Sequence, residues 1–160
     1  MGLRDRLKSL IGAPPRPASP PAPARPPAAA LPKTPTADGY TAVAFANQVT
    51  AEKAGTFPVP GGAIVAIFRY GGTLYAMDNA CAHEDGPVGE GAISGNCVRC
   101  PYHDWEYDFT TGACRTDPER SQATWAVRER DGVLWVGPRL TEGTGARGGE
   151  HNDGLETITR

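Results

Sequence analysis

The pattern Cys81-Ala-His83, then sixteen residues, then Cys100-Pro-Tyr-His103 restricts the fold of this chain more than any other feature. Three of the four cysteines and two of the three histidines fall between residues 81 and 105. Each half of the pattern offers one thiol and one imidazole within a tight turn. The two halves can serve one site only if the turns fold against each other on a rigid support. Four cysteines with two matched histidines read as a metal site before they read as a disulfide framework.

The surrounding sequence predicts that support. From residue 39 to 138, short runs rich in β-branched and aromatic residues alternate with glycine turns. The expected strands are Tyr40–Phe45, Thr56–Val59, Ala63–Arg69, Thr73–Met77, Asn96–Cys100, Glu106–Phe109, Ala123–Arg128 and Val133–Val136. "PGG" at Pro60–Gly62, "GG" at Gly71–Gly72 and "DG" at Asp131–Gly132 supply turns, the last a strong hairpin signal. An all-β domain of antiparallel hairpins follows, without a long helix.

The flanks differ in kind. Residues 1–12 place Leu3, Leu7, Leu10 and Ile11 on one helical stripe and predict a short amphipathic leader helix. Ten prolines lie between Pro14 and Pro35, so residues 13–38 read as a disordered Pro/Ala-rich linker. Residues 139–160 are glycine-rich and polar and are expected to form a disordered tail. The 39–138 segment carries seven basic and twelve acidic residues, with Glu84, Asp85, Asp104 and Glu106 near the cysteine–histidine window. A net charge of -2 argues against nucleic acid as a partner. No apolar run approaches the length of a membrane span, which leaves residues 1–11 as the sole expected membrane contact. Neither a secretory apolar core nor a twin-arginine pair is present, so a cytoplasmic location with reduced thiols is expected.

Two Cys–His turns side by side suit a [2Fe–2S] cluster with two cysteines on one iron and two histidines on the other. Replacing two thiolates by neutral imidazoles makes the cluster environment less negative and its reduction easier. Structural zinc is the rival reading of the same donors. Zinc sites usually pair cysteine with cysteine and histidine with histidine, and that order is absent here.

On the motif Cys81, His83, Cys100 and His103, the chain resembles the Rieske family of iron–sulfur proteins. The flanking stretches "GTLYAMDNACAHEDGPVGEG" and "CPYHDWEYDFTTGAC", and the closing "WAVRERDGVLWVG", extend the resemblance over about residues 39–138. It implies an antiparallel β-sandwich or barrel base with a small cluster-binding subdomain of two hairpin loops. It also implies one [2Fe–2S] cluster held by those four residues, and a proline-containing third loop, for which "TDPER" around Pro118 is the counterpart. High-potential members carry an extra disulfide across the cluster loops, and Gly86 and Tyr102 occupy its positions here. They also place a serine where this chain has Trp105, whereas Tyr107 keeps a hydrogen bond to a ligand sulfur available. Losing the serine points to the low end of the Rieske range, about −150 mV rather than +300 mV. Asp104 stands where relatives often have glycine; its side chain tolerates a left-handed backbone, and its charge beside His103 would lower the potential further.

What the resemblance implies about function is a soluble, low-potential Rieske ferredoxin, an electron-transport protein of oxidoreductase systems. It would pass one electron between a reductase and a terminal oxygenase or reductase, with no substrate site of its own. The acidic residues near the loops would steer a basic partner. The alternative is the small Rieske subunit of an assimilatory NAD(P)H nitrite reductase, docked on its large subunit; a redox-sensing or structural metal module is a further alternative. A catalytic oxygenase subunit would need a second iron site with two histidines, and only His151 is left in this chain. Cys97 and Cys114 read as small buried hydrophobes, with an oxidation-sensitive pair or a disulfide as the alternative.

Overall fold

The computed structural model describes residues 30–144. The expected leader helix and most of the expected linker and tail lie outside those residues. Nine strands occur among the described residues: β1 (Thr41–Phe45), β2 (Gly55–Pro58), β3 (Ile64–Tyr70), β4 (Thr73–Asp78), β5 (Ala92–Ser94), β6 (Cys97–Arg99), β7 (Glu106–Asp108), β8 (Thr124–Arg130) and β9 (Val133–Arg139). Six of them form an antiparallel sheet in the order β1-β9-β8-β4-β3-β2, whose edge strands β1 and β2 approach each other to give a near-barrel base. The other three form a small antiparallel sheet, β5-β6-β7.

Strand β3 shows how the two sheets share one core. Successive side chains of a strand point to opposite faces. Val65 and Ile67 pack with Ala44, Val49, Ala76, Leu134 and Val136 inside the curved base. Ala66 and Phe68 point the other way and pack with Val88, Val98, Tyr107 and Phe109 of the small subdomain. Both faces are buried from Val65 to Phe68, which is why "VAIF" is continuously apolar instead of alternating. Phe68 and Phe109 stack with ring centroids 4.6 Å apart and planes 2° from parallel. Each fully buried side chain of this size stabilises the junction by about 1.5–3 kcal/mol.

The all-β expectation holds, and eight of the nine strands lie where the sequence places them. The ninth, β5, was not expected. It has three residues and no β-branched run, and it forms because the turn at Gly95 folds it back along β6. Two boundaries also differ from expectation. Beyond Pro138 the chain stays bonded: Arg139 pairs with Trp125, Leu140 donates its N–H to the Thr124 carbonyl, and the Thr144 hydroxyl accepts from Ser121 N–H. Ahead of residue 39, Thr36 N–H donates to the Tyr40 carbonyl and Asp38 pairs with Arg128 at 2.7 Å. Thus 139–144 and 36–38 are tied to the domain, by backbone bonds and an ion pair that composition alone does not reveal. No helix among the described residues is long and apolar enough to cross a membrane.

Candidate metal centre

The two Cys–His turns are built on the same backbone plan. In the first, Cys81 N–H donates to the Gly86 carbonyl and Asp85 N–H donates back to the Cys81 carbonyl, both at 2.9 Å. In the second, Cys100 N–H donates to Trp105 at 2.8 Å and Asp104 N–H to Cys100 at 3.1 Å. The fourth residue after each cysteine is left-handed: Asp85 has φ 53 and Asp104 φ 58. Aspartate bears this conformation better than most residues, so Asp104 fits the turn without strain on the loop. Asp85 plays the same part in the first loop; its matching offset from Cys81 was the signal that sequence reading overlooked. The second turn is the β6–β7 hairpin. The first joins β4 to β5 across the two sheets and is closed by pairing of Ala80 with Pro87.

The sulfur side of the site is dry. Cys81 is 3% exposed and Cys100 1%, and both belong to the core shared by the two sheets. Burial pushes the Cys100 thiol above its usual range, against backbone N–H groups of Tyr102 and His103 that favour the thiolate. Tyr107, fully buried, brings its hydroxyl to 3.1 Å from Cys81 Sγ. Burial foremost, then the neighbouring Cys81, pushes this phenol far above its normal pKa, so Tyr107 keeps its proton and has it to donate once the sulfur is a thiolate. Gly86 leaves room for this arrangement: a Cβ there would stand 2.8 Å from Cys100 Sγ and 3.0 Å from the Tyr102 ring.

The imidazole side reaches the surface. The His83 and His103 rings meet edge to face with centroids 4.8 Å apart, and their side chains are 32% and 46% exposed. Trp105 stacks on the His83 ring at 4.5 Å and 10°. Stacked there, it fixes the plane of an imidazole contributed by the other loop. His83 Nδ1 is buried without a hydrogen-bond partner, while its Nε2 faces outward toward Glu84. A buried nitrogen left unpaired costs about 1–3 kcal/mol, which a metal ion at that atom would offset. Two buried thiols, one orphaned imidazole nitrogen and a second imidazole alongside match the donor set of a two-iron cluster with mixed sulfur and nitrogen ligands.

A third segment, between Cys114 and Gln122, braces the first loop. Arg120 Nη1 donates to the Ala82 carbonyl at 3.2 Å, and the buried Gln122 donates Nε2–H to the Ala80 carbonyl at 2.8 Å. Sequence reading placed Pro118 here and missed both donors. Cys97 and Cys114 are buried free thiols. Burial pushes Cys97 up, and Cys114 Sγ accepts the Asp117 N–H at 3.3 Å. Of the acidic residues singled out near the window, Glu106 is tied to Arg99 at 2.7 Å. Glu84, Asp85 and Asp104 are exposed, and Glu84 lies against both imidazoles.

Comparison with known proteins agrees with this geometry. A family model described as "Rieske [2Fe-2S] domain" matches residues 39–131. The anthranilate 1,2-dioxygenase ferredoxin subunit of Burkholderia cepacia is 38% identical over 82 residues, which is 49% of this chain and 73% of that protein. Of larger curated relatives the chain covers little, 23% of a Pseudomonas putida methylxanthine N1-demethylase and 28% of a Rhodococcus rhodochrous 3-ketosteroid-9-alpha-monooxygenase oxygenase component. Among solved structures, the Sphingomonas yanoikuyae B1 ferredoxin superposes with a TM-score of 0.58 at 21% identity, covering 62% of this chain and 99% of its own. A Mycobacterium tuberculosis protein described as an NADH-dependent nitrite reductase small subunit gives 0.57 at 19%, covering 62% and 94%. At these identities the structural matches establish the fold alone.

Proposed function

Since the chain belongs to the Rieske [2Fe-2S] domain family and carries one such cluster, we propose that it is a ferredoxin-type carrier, moving single electrons from a reductase to a terminal oxygenase or reductase. The reading assigns Cys81 and Cys100 to one iron and His83 and His103 to the other. The observation that carries it is the buried, unpartnered His83 Nδ1 beside two buried thiols on loops of identical backbone plan.

When bound, the cluster supplies a centre that accepts and returns one electron. The protein does the rest. Tyr107 donates a hydrogen bond to the Cys81 sulfur and favours the more negative, reduced form. Phe109, Val98 and the core around them keep water from the thiol side. The exposed edges of His83 and His103 give a partner its closest approach, and the surrounding Glu84, Asp85 and Asp104 suit a basic partner surface. The 38% identity to a dioxygenase ferredoxin subunit supports an oxygenase as the acceptor. The nitrite reductase small-subunit reading has the fold likeness in its favour and no comparable identity.

EPR of the dithionite-reduced full chain, with iron and sulfide analysis and a redox titration, tests the proposal. A reduced [2Fe–2S] signal, iron near two per chain and a potential around −150 mV are expected. A colourless protein that retains zinc after anaerobic reconstitution overturns it.

A further inference from the structure

One carboxylate stands between the two imidazoles. Glu84 Oε1 is 3.9 Å from His83 Nε2, and its Oε2 is 3.6 Å from His103 Nε2. These separations exceed a direct hydrogen bond but lie within ion-contact range, one oxygen to each ring. Glu84 belongs to the first loop and reaches across to the second. Among the described residues its ion-pair contacts are these two histidines, whereas Glu106 is taken up by Arg99 and Asp104 acts on that same guanidinium. Asp104, the charge that the sequence places beside His103, is therefore not the one that contacts it.

We propose that Glu84 is a positioning residue that spans both ligand imidazoles, holds their outer nitrogens toward one point and keeps the reduction potential of the site low. This rests on the assignment of His83 and His103 as ligands. Two effects act in the same direction. An electron entering the site adds negative charge, which a carboxylate a few ångströms from both rings opposes. An acceptor facing the outer nitrogen of a ligating imidazole also makes it a stronger donor, favouring the oxidised form. The Glu84 side chain is 63% exposed, so solvent and salt screen the first effect.

The test uses the full chain with its cluster, with visible absorption and EPR to verify loading, and redox titration at one fixed pH. Glu84→Gln removes the charge and keeps the shape; Asp85→Asn removes an equal charge one residue away. The expected result is a higher potential for Glu84→Gln than for the parent, a smaller rise for Asp85→Asn, and altered g values for Glu84→Gln alone. A parent-like potential in a loaded Glu84→Gln protein overturns the proposal. So does an equal rise in Asp85→Asn, which would make the effect one of net loop charge. If Glu84→Gln fails to load, Glu84→Asp, with its carboxylate withdrawn by one methylene, decides by the same rise or its absence. A parent chain that takes up no iron defeats the ligand assignment itself, before any potential is measured.

Discussion

Replacing Tyr107 by phenylalanine isolates a single hydrogen bond at the sulfur side of the site. The hydroxyl sits 3.1 Å from Cys81 Sγ in a fully buried setting, and it is the donor when Cys81 is an iron-bound thiolate with no proton of its own. A hydrogen bond to a charged group is worth about 1.5–3 kcal/mol, and the bond strengthens when an added electron makes the sulfur more negative. If that gain is a third to a half of the bond, the reduced form loses roughly 0.5–1.5 kcal/mol in Tyr107→Phe. At about 59 mV per tenfold change for one electron, the potential falls by roughly 20–65 mV. The ring volume is kept, so the thermal midpoint drops little while the potential moves. Redox titration of the two loaded proteins, followed by EPR amplitude, is the assay. An unchanged potential with an intact EPR signal would refute the claim that this hydroxyl bonds more strongly to the reduced site.

Three further outcomes follow from the same geometry. Gly86→Ala places a Cβ 2.8 Å from Cys100 Sγ, so the loops must part; iron per chain falls and stability drops by about 1–3 kcal/mol, measured by iron assay and thermal unfolding. At Asp104, with φ 58, glycine is tolerated within about 1 kcal/mol while valine costs about 1–3 kcal/mol, and Asp104→Gly shifts the potential less than Glu84→Gln does. Arg128, aided by Thr36, holds the Asp38 carboxyl at about 2 instead of 3.8. A depressed carboxylate pKa stabilises above the unfolded value and is lost as pH falls through the folded one. The midpoint difference between the parent and Asp38→Asn should therefore be steady at neutral pH and close between about pH 4 and 2.

Regular strands and the two Cys–His turns were legible because each is encoded locally. Strand β3 announces itself as a continuous apolar run, and the cysteine–histidine offsets specify two turns. What escaped was encoded by contact between distant segments. Nothing near Arg120 or Gln122 in the sequence marks them as donors to Ala82 and Ala80, about forty residues earlier, and the bonds exist only because β8 lies beside β4. Strand β5 is similarly conditional. Gly91 must lie against β6 so closely that a Cβ would fall 2.0 Å from the Arg99 carbonyl, a requirement visible only once the small sheet is formed. Glu84 read as one acid among several, and the convergence of His83 with His103 gives it a distinct position.

The two loops share a backbone plan but differ by one residue in where histidine falls, at the second position after Cys81 and the third after Cys100. That offset lets rings from two similar turns meet edge to face instead of colliding, and it leaves one face of His83 for Trp105 to cover. The thiols then point into the core and the imidazoles toward solvent. Such a division separates two demands on an electron carrier. Rigidity comes from the dry side, where Tyr107 and Phe109 lock the small sheet to the base. Access and tuning come from the wet side, where Glu84 stands within reach of both rings. Substitutions that change packing volume on the dry side should therefore move loading and stability together, whereas Tyr107→Phe, which keeps its ring, and charge-only changes on the wet side should move the potential and leave folding intact.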